Sequence, residues 1–260
     1  MKKILRKPII IAGPCAAESQ EQIQKSTVEA KKRKIYYERV SLWKPRTKPG
    51  GFDGLGYSGI PILLEVAKSG LSPATEVLSA KQCEKVIESV VTNSEQEILI
   101  WLGARNQNHQ TQQEVGRVIS GEPRAKLLIK NQPWPDDAHW IGIVEHVTHN
   151  NSVKDEQLLL CHRGFAPHGL NPKGYRNIPD FEAAMRVKEK TGLPMLFDPS
   201  HTGGSVELVF EMAKEASGYA FDGIIVEVHP NPEKALTDAK QQLTWKQFDE
   251  MIEIFNRKRG

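Results

Sequence analysis

Four residues of this 260-residue chain carry side chains that together suit a divalent transition metal: Cys15, His201, Glu227 and Asp238. A thiolate, an imidazole and two carboxylates form a mixed soft and hard donor set. The first three stand at or just past the ends of apolar runs, in IIIAGPC, MLFDPSH and GIIVEV, and Asp238 lies in the loop after the last run. They are scattered, and the close cysteine pairs of a structural zinc site are absent. The residues by themselves therefore also allow a merely buried Cys15 and a His201 in an ordinary polar turn.

A second set is cationic: Arg39, Lys44, Arg46, Arg105, Lys130 and Arg163. Lysine and arginine are ordinarily solvated, but at the end of an apolar strand a desolvated cation is costly without an anion. Several at one mouth call for multiply anionic ligands, with phosphates and carboxylates the natural candidates. Gly50, Gly51, Gly54 and Gly56 follow Arg46 and let the backbone close around such a ligand. Glu76 ends a third, more polar run.

The elements that must position these residues alternate. Apolar, β-branched runs at 8–12, 35–43, 71–77, 98–102, 125–129, 158–161, 193–197 and 223–228 predict strands buried on both faces. Between them lie helical segments at 19–34, 58–68, 79–91, 110–119, 179–190 and 206–216, one opened by Pro135, and a closing helix at 244–256. The stretch 199–205 reads as a polar glycine turn. Eight strand–helix units of about 30 residues predict a single (β/α)8 TIM barrel, an α/β fold whose chemistry sits at the C-terminal ends of its strands. A doubly wound open sheet is the competing architecture and would need a crevice at a topological switch point. With no linker or low-complexity tract, residues 1–260 are expected to form one catalytic domain.

Composition is that of an ordinary soluble globular chain, 39% hydrophobic and 26% charged. A net charge of +3 does not argue for nucleic acid or membrane as a partner. Three cysteines without framework spacing fit a reduced, cytoplasmic protein. No apolar run approaches the roughly 20 residues needed to cross a bilayer.

The segments GPCAAES, KPRTKPGGFDGLG, GARNQN, LLIKNQP, CHRG, DPSHTGG and VEVHPNPEKALTDAKQQL occur in this order. Together they resemble the 3-deoxy-7-phosphoheptulonate (DAHP) synthases, closest to the compact branch whose core is a bare barrel, over nearly the whole chain. The resemblance implies condensation of phosphoenolpyruvate with erythrose 4-phosphate at the head of the shikimate pathway. It implies metal ligands at Cys15, His201, Glu227 and Asp238, with manganese as the ion and iron, cobalt or zinc as alternatives. Arg105, Lys130 and Arg163, with Ala104, Arg39 and Lys44 beside them, match the phosphoenolpyruvate site. Arg46 and Thr47 match the clamp on the aldose phosphate, and Glu76 a residue near the phosphoenolpyruvate phosphate. Lys44, Lys130 and Glu76 are the candidates for catalytic roles, and which group guides the water and its proton stays open. The resemblance also implies a homo-oligomer, dimer or tetramer, and some members carry a fused or associated chorismate mutase.

The sister 3-deoxy-octulosonate-phosphate synthases, which use arabinose 5-phosphate, share most motifs but have an alanine- and asparagine-rich segment where this chain has Lys44-Pro45-Arg46-Thr47. The intact KPRT favours the four-carbon aldose. A catalytically silent barrel with a regulatory or scaffolding role is a further alternative, against which the intact donor and cation sets argue. Three departures from the family pattern stand out. Val40 and Ser41 follow Arg39 where glycine is common, His162 stands where an acid is usual, and Ala239 replaces a glycine after Asp238.

Overall fold

Buried segments of three to six residues become strands because each can hydrogen-bond a parallel neighbour on both sides. The computed structural model describes residues 7–45, 50–167 and 169–257. Its strands are β1 (Ile9–Gly13), β2 (Tyr37–Arg39), β3 (Ser72–Glu76), β4 (Ile98–Leu102), β5 (Ala125–Lys130), β6 (Leu158–His162), β7 (Met195–Phe197) and β8 (Gly223–Glu227). They pair in parallel in chain order, and β8 pairs back onto β1, with Ile11 opposite Ile225 and Gly13 opposite Glu227. The result is the closed (β/α)8 barrel expected from the sequence.

Helices α1 (Gln20–Lys32), α2 (Ile60–Lys68), α3 (Ala80–Asn93), α4 (His109–Ser120), α5 (Asp137–Thr148), α6 (Phe181–Thr191), α7 (Pro199–Gly203), α8 (Val206–Ala216) and α9 (Trp245–Asn256) surround it. Most start where the sequence offers a cap. The side chains of Ser19, Ser79, Asn108, Asp136, Asp180, Ser205 and Thr244 each accept a backbone N–H from the first turn.

Three local expectations change. The second strand is only Tyr37–Arg39, not 35–43, because the chain leaves the ladder after Val40, whose N–H is the last to reach a β3 carbonyl. The Leu42 N–H is taken by the Thr75 hydroxyl, and its carbonyl accepts from Gly56 N. A Cβ at Gly54 would lie 2.1 Å from that carbonyl, so glycine is required for this close approach. Pro135 does not open α5. It precedes the cap, and Asp136 in extended backbone accepts from His139 N at 3.0 Å. The stretch after β7 is not a plain turn, since Asp198 caps the short helix α7.

The period-two alternation of a strand sorts side chains into two cores. Leu99 and Trp101 of β4 fill the barrel interior, with Leu128, Cys161, Leu196 and Ile225 from neighbouring strands. Ile98, Ile100 and Leu102 point the other way, into the layer between strands and helices. Continuing the inward parity to the strand ends selects Arg39 after Tyr37, Glu76 after Ala74, Lys130 after Leu128, Arg163 after Cys161, Asp198 after Leu196 and Glu227 after Ile225. The same alternation turns Glu38 and His162 outward.

Candidate active site

At the mouth, Cys15, Glu227 and Asp238 bring ligand atoms within 4.8 Å of one another. His201 joins them through Nε2, 3.6 Å from Glu227 Oε1. Barrel closure creates this group by placing β1 beside β8. Asp238 reaches it from a backbone at φ 48°, in the left-handed region that aspartate tolerates better than most residues. Ala239 does not displace it: the turn of 3-10 helix Ala239–Gln241 that follows puts Gln241 Nε2 2.6 Å from Glu227 Oε2.

The cluster holds positive charge of its own. Lys44 Nζ lies 2.7 Å from both Cys15 Sγ and Asp238 Oδ2. Arg39 donates to Glu227 Oε1 at 2.8 Å, and Arg176 pairs with Asp238 Oδ1 at 3.1 Å. Burial would lower the Lys44 pKa, but Cys15, Glu227 and Asp238 override it and the ammonium is stabilised. The Cys15 thiol is nonetheless pushed up to about 12, by burial first and then by Glu227. A thiolate here needs more positive charge than Lys44 and Arg39 supply, which fits a site for a divalent cation.

His201 has the form of a ready ligand. Burial pulls its pKa down to about 4 against the pull of Asp198 and Glu227, so the ring is neutral at physiological pH. Nδ1 lies 2.9 Å from Asp198 Oδ2; this carboxylate can only accept, so Nδ1 carries the proton and the Nε2 lone pair faces the cluster. Burial alone would raise the Asp198 pKa, but His201 and Lys130 hold it well below the ordinary carboxylate range.

Beside this cluster opens a cavity of about 440 Å³, lined among others by Arg39, Lys44, Glu76, Arg105, Lys130 and Arg163. Lys130 donates to Asp198 Oδ2 at 2.7 Å. Arg163 donates to the neutral Asn177 Oδ1 at 2.7 Å, and its pKa falls to about 10 through burial together with Arg176 and Arg105. Arg105 Nη1 reaches the Pro45 carbonyl at 3.5 Å, and Ala104 supplies backbone to the same wall. Glu76 is raised, by burial first, against the pull of Lys130, Lys44 and Arg39.

The structure thus gathers Cys15, Glu227 and Asp238 in one cluster with His201 beside Glu227, and Lys44, Glu76, Ala104, Arg105, Lys130 and Arg163 around the adjoining cavity. Arg39 lies between the two. Its guanidinium is committed to Glu227 and to the carbonyls of Pro14 and Cys15, and only Nη1 has no partner among the described residues. Arg46 and Thr47 lie outside the described residues. His162 is no part of the mouth: its Nε2 accepts from Asp180 N at 3.0 Å and its ring lies among Trp140, Phe165 and Phe197. Sequence reasoning passed over Asp198, Trp101, Arg176, Asn177 and Gln241. Asp198 had a visible signal, an acid two residues beyond inward-facing Leu196.

An α/β barrel with a soft–hard donor cluster beside a pocket of buried cations belongs to the barrel enzymes that handle anionic substrates at the strand ends. The family model described as the DAHP synthetase I family matches residues 6–259, and the chain belongs to that family. It is 34% identical over 248 residues to a phospho-2-dehydro-3-deoxyheptonate aldolase of Thermotoga maritima, covering 94% of this chain and 68% of the relative. A crystal structure of phospho-2-dehydro-3-deoxyheptonate aldolase (DAHP synthase) from Thermotoga maritima superposes with a TM-score of 0.79 at 31% identity, covering 95% of this chain and 68% of that one. A 2-dehydro-3-deoxyphosphooctonate aldolase of Bradyrhizobium diazoefficiens is more distant, 26% identical over 262 residues, which is 94% of this chain and 86% of the relative.

Proposed function

We propose that the chain condenses phosphoenolpyruvate with erythrose 4-phosphate and water, giving 3-deoxy-arabino-heptulosonate 7-phosphate and phosphate, as a catalytic barrel domain spanning residues 1–260. The observation that carries this reading is the surplus of buried cations around one cavity, directly beside a donor cluster that calls for more positive charge. Two substrates that repel each other need fixed cations to bring their carbons together.

Arg105, Lys130 and Arg163 hold phosphoenolpyruvate by its phosphate and carboxylate, while Arg46 and Thr47 hold the aldose phosphate. Cys15, His201, Glu227 and Asp238 would hold a divalent ion, manganese by preference over iron, cobalt or zinc, which when bound polarises the aldehyde. The new carbon–carbon bond joins the methylene carbon of phosphoenolpyruvate to the aldehyde carbon. Lys44, held charged on the cavity wall, is placed to give a proton to the oxygen of that aldehyde. Water then adds at the carbon that bears the phosphate, and the carbon–oxygen bond to phosphate breaks. Glu76 and Lys130 are the groups on the cavity wall that can guide that proton. Three free cysteines, each buried, suit a reducing cytoplasmic setting.

The test is phosphate release from phosphoenolpyruvate with erythrose 4-phosphate or arabinose 5-phosphate as acceptor, before and after chelation. Turnover with the four-carbon aldose, lost with a chelator and restored by manganese, is the expected result. Preference for arabinose 5-phosphate would move the chain to the octulosonate branch, and no turnover with either would favour a silent barrel. Full activity after exhaustive chelation, with metal absence verified by elemental analysis, would remove the metal from the reading.

A further inference from the structure

Trp101 is a large aromatic side chain of the barrel interior beneath the mouth. It is 1% exposed, yet it lines the cavity. Its ring carries two cations from strands on either side: the Arg39 guanidinium carbon lies 5.1 Å from a ring centroid and Lys130 Nζ 5.7 Å. Opposite it in the β3–β4 register stands Glu76. The far side of each cation is tied to an acid, Arg39 to Glu227 and Lys130 to Asp198. The π face occupies the near side.

Two like charges converging on one buried pocket repel, and each favours retreat toward its own carboxylate. The negative face of an indole attracts both without adding a formal charge that would compete with an incoming anion. A carboxylate in the same place would neutralise the cations and weaken the pocket, and an aliphatic side chain would leave them unsupported. Gly103, two residues on, leaves the room this packing needs, since a Cβ there would come 2.1 Å from Glu76 Oε1.

We propose that Trp101 is a positioning residue for the phosphoenolpyruvate half of the site. Its ring face holds Arg39 and Lys130, so that their remaining N–H donors present to one anion. This rests on the functional reading above and extends it to a residue with no reactive group.

The test measures phosphoenolpyruvate binding by calorimetry, together with the KM of each substrate, for the parent, W101F and W101L. Phenylalanine keeps a π face and leucine does not. W101L is expected to bind phosphoenolpyruvate about tenfold more weakly, with the aldose KM unchanged, and W101F to stay within about threefold of the parent. Parent-like binding by W101L, or equal losses in both variants, would overturn the proposal. If W101L does not fold, emission decides: binding should change the tryptophan fluorescence of the parent, and that change should vanish in W101F. Its survival undiminished would overturn the role of Trp101. A parent that binds phosphoenolpyruvate but turns over neither aldose would contradict the functional reading while leaving the Trp101 test intact. A parent that does not bind it would sink both.

Discussion

The mouth of the barrel and the sleeve between strands and helices both bury ionisable side chains, and they treat them oppositely. Glu227 faces the mouth with no exposure, and burial alone would raise its pKa. The fixed cations Arg39 and Lys44 override that and hold it ionised. Glu38 faces the sleeve, equally buried, with the Thr27 hydroxyl on one oxygen and nothing on the other. Burial there wins, and the carboxyl is pushed up to about 7. His162, also in the sleeve, is driven down to about 3 by burial and the nearby Arg163. Burial is common to all three, so what separates the regions is whether a fixed counter-charge comes with it. The mouth assembles charges as sets, and the sleeve keeps its groups neutral.

The largest effect that could break this contrast comes from Glu227→Gln. It leaves the Arg39 guanidinium, 2% exposed, without its carboxylate, and should cost about 3–5 kcal/mol of stability along with activity. Denaturant unfolding measures it, and a loss under about 1 kcal/mol would mean that Arg39 does not depend on this partner.

Glu38→Gln should act in the opposite direction. The folded carboxyl keeps its proton to about pH 7, whereas the reference value is 4.5. Its raised pKa means that its contribution is intact below pH 4.5 and lost as pH rises through 7. The amide, which does not ionise, should therefore stabilise the protein by about 3 kcal/mol above pH 8 and by nothing near pH 4. A stability difference that does not vary with pH would contradict a neutral Glu38.

Arg163→Gln sharpens the comparison within the mouth itself. Arg163 is the cation there whose pKa falls, and its guanidinium hydrogen-bonds a neutral amide. Its removal should change stability by less than about 1 kcal/mol and weaken phosphoenolpyruvate binding on the order of 10- to 100-fold. A large stability loss with binding intact would place Arg163 among the structural pairs.

Much of this was open to sequence reading because it is local. Strand runs end where polar residues begin, serines and aspartates cap helices within one turn, and Cys15, Lys130 or Glu227 can be recognised from the few residues around them. The misread segments were those with a distant partner. Residues 41–43 look like a strand, but their backbone is claimed by Thr75 and by the loop at Gly54–Gly56. His162, at the end of β6 beside Arg163, is turned by one step of alternation into the aromatic sleeve.

Which charge meets which was decided only by the tertiary structure. Cys15 and Glu227 stand at opposite ends of the chain, and closure of β8 onto β1 makes them neighbours. Asp198 looks like the start of a turn until closure sets it between Lys130 and His201, and Trp101 looks like one more core residue until two cations come to lie over its ring. Local sequence determines whether a side chain is apolar, charged or able to cap, because those properties belong to the residue and its immediate neighbours. The pairing of buried charges depends on distances across the barrel, and these exist only once eight strands have closed with a common tilt and stagger.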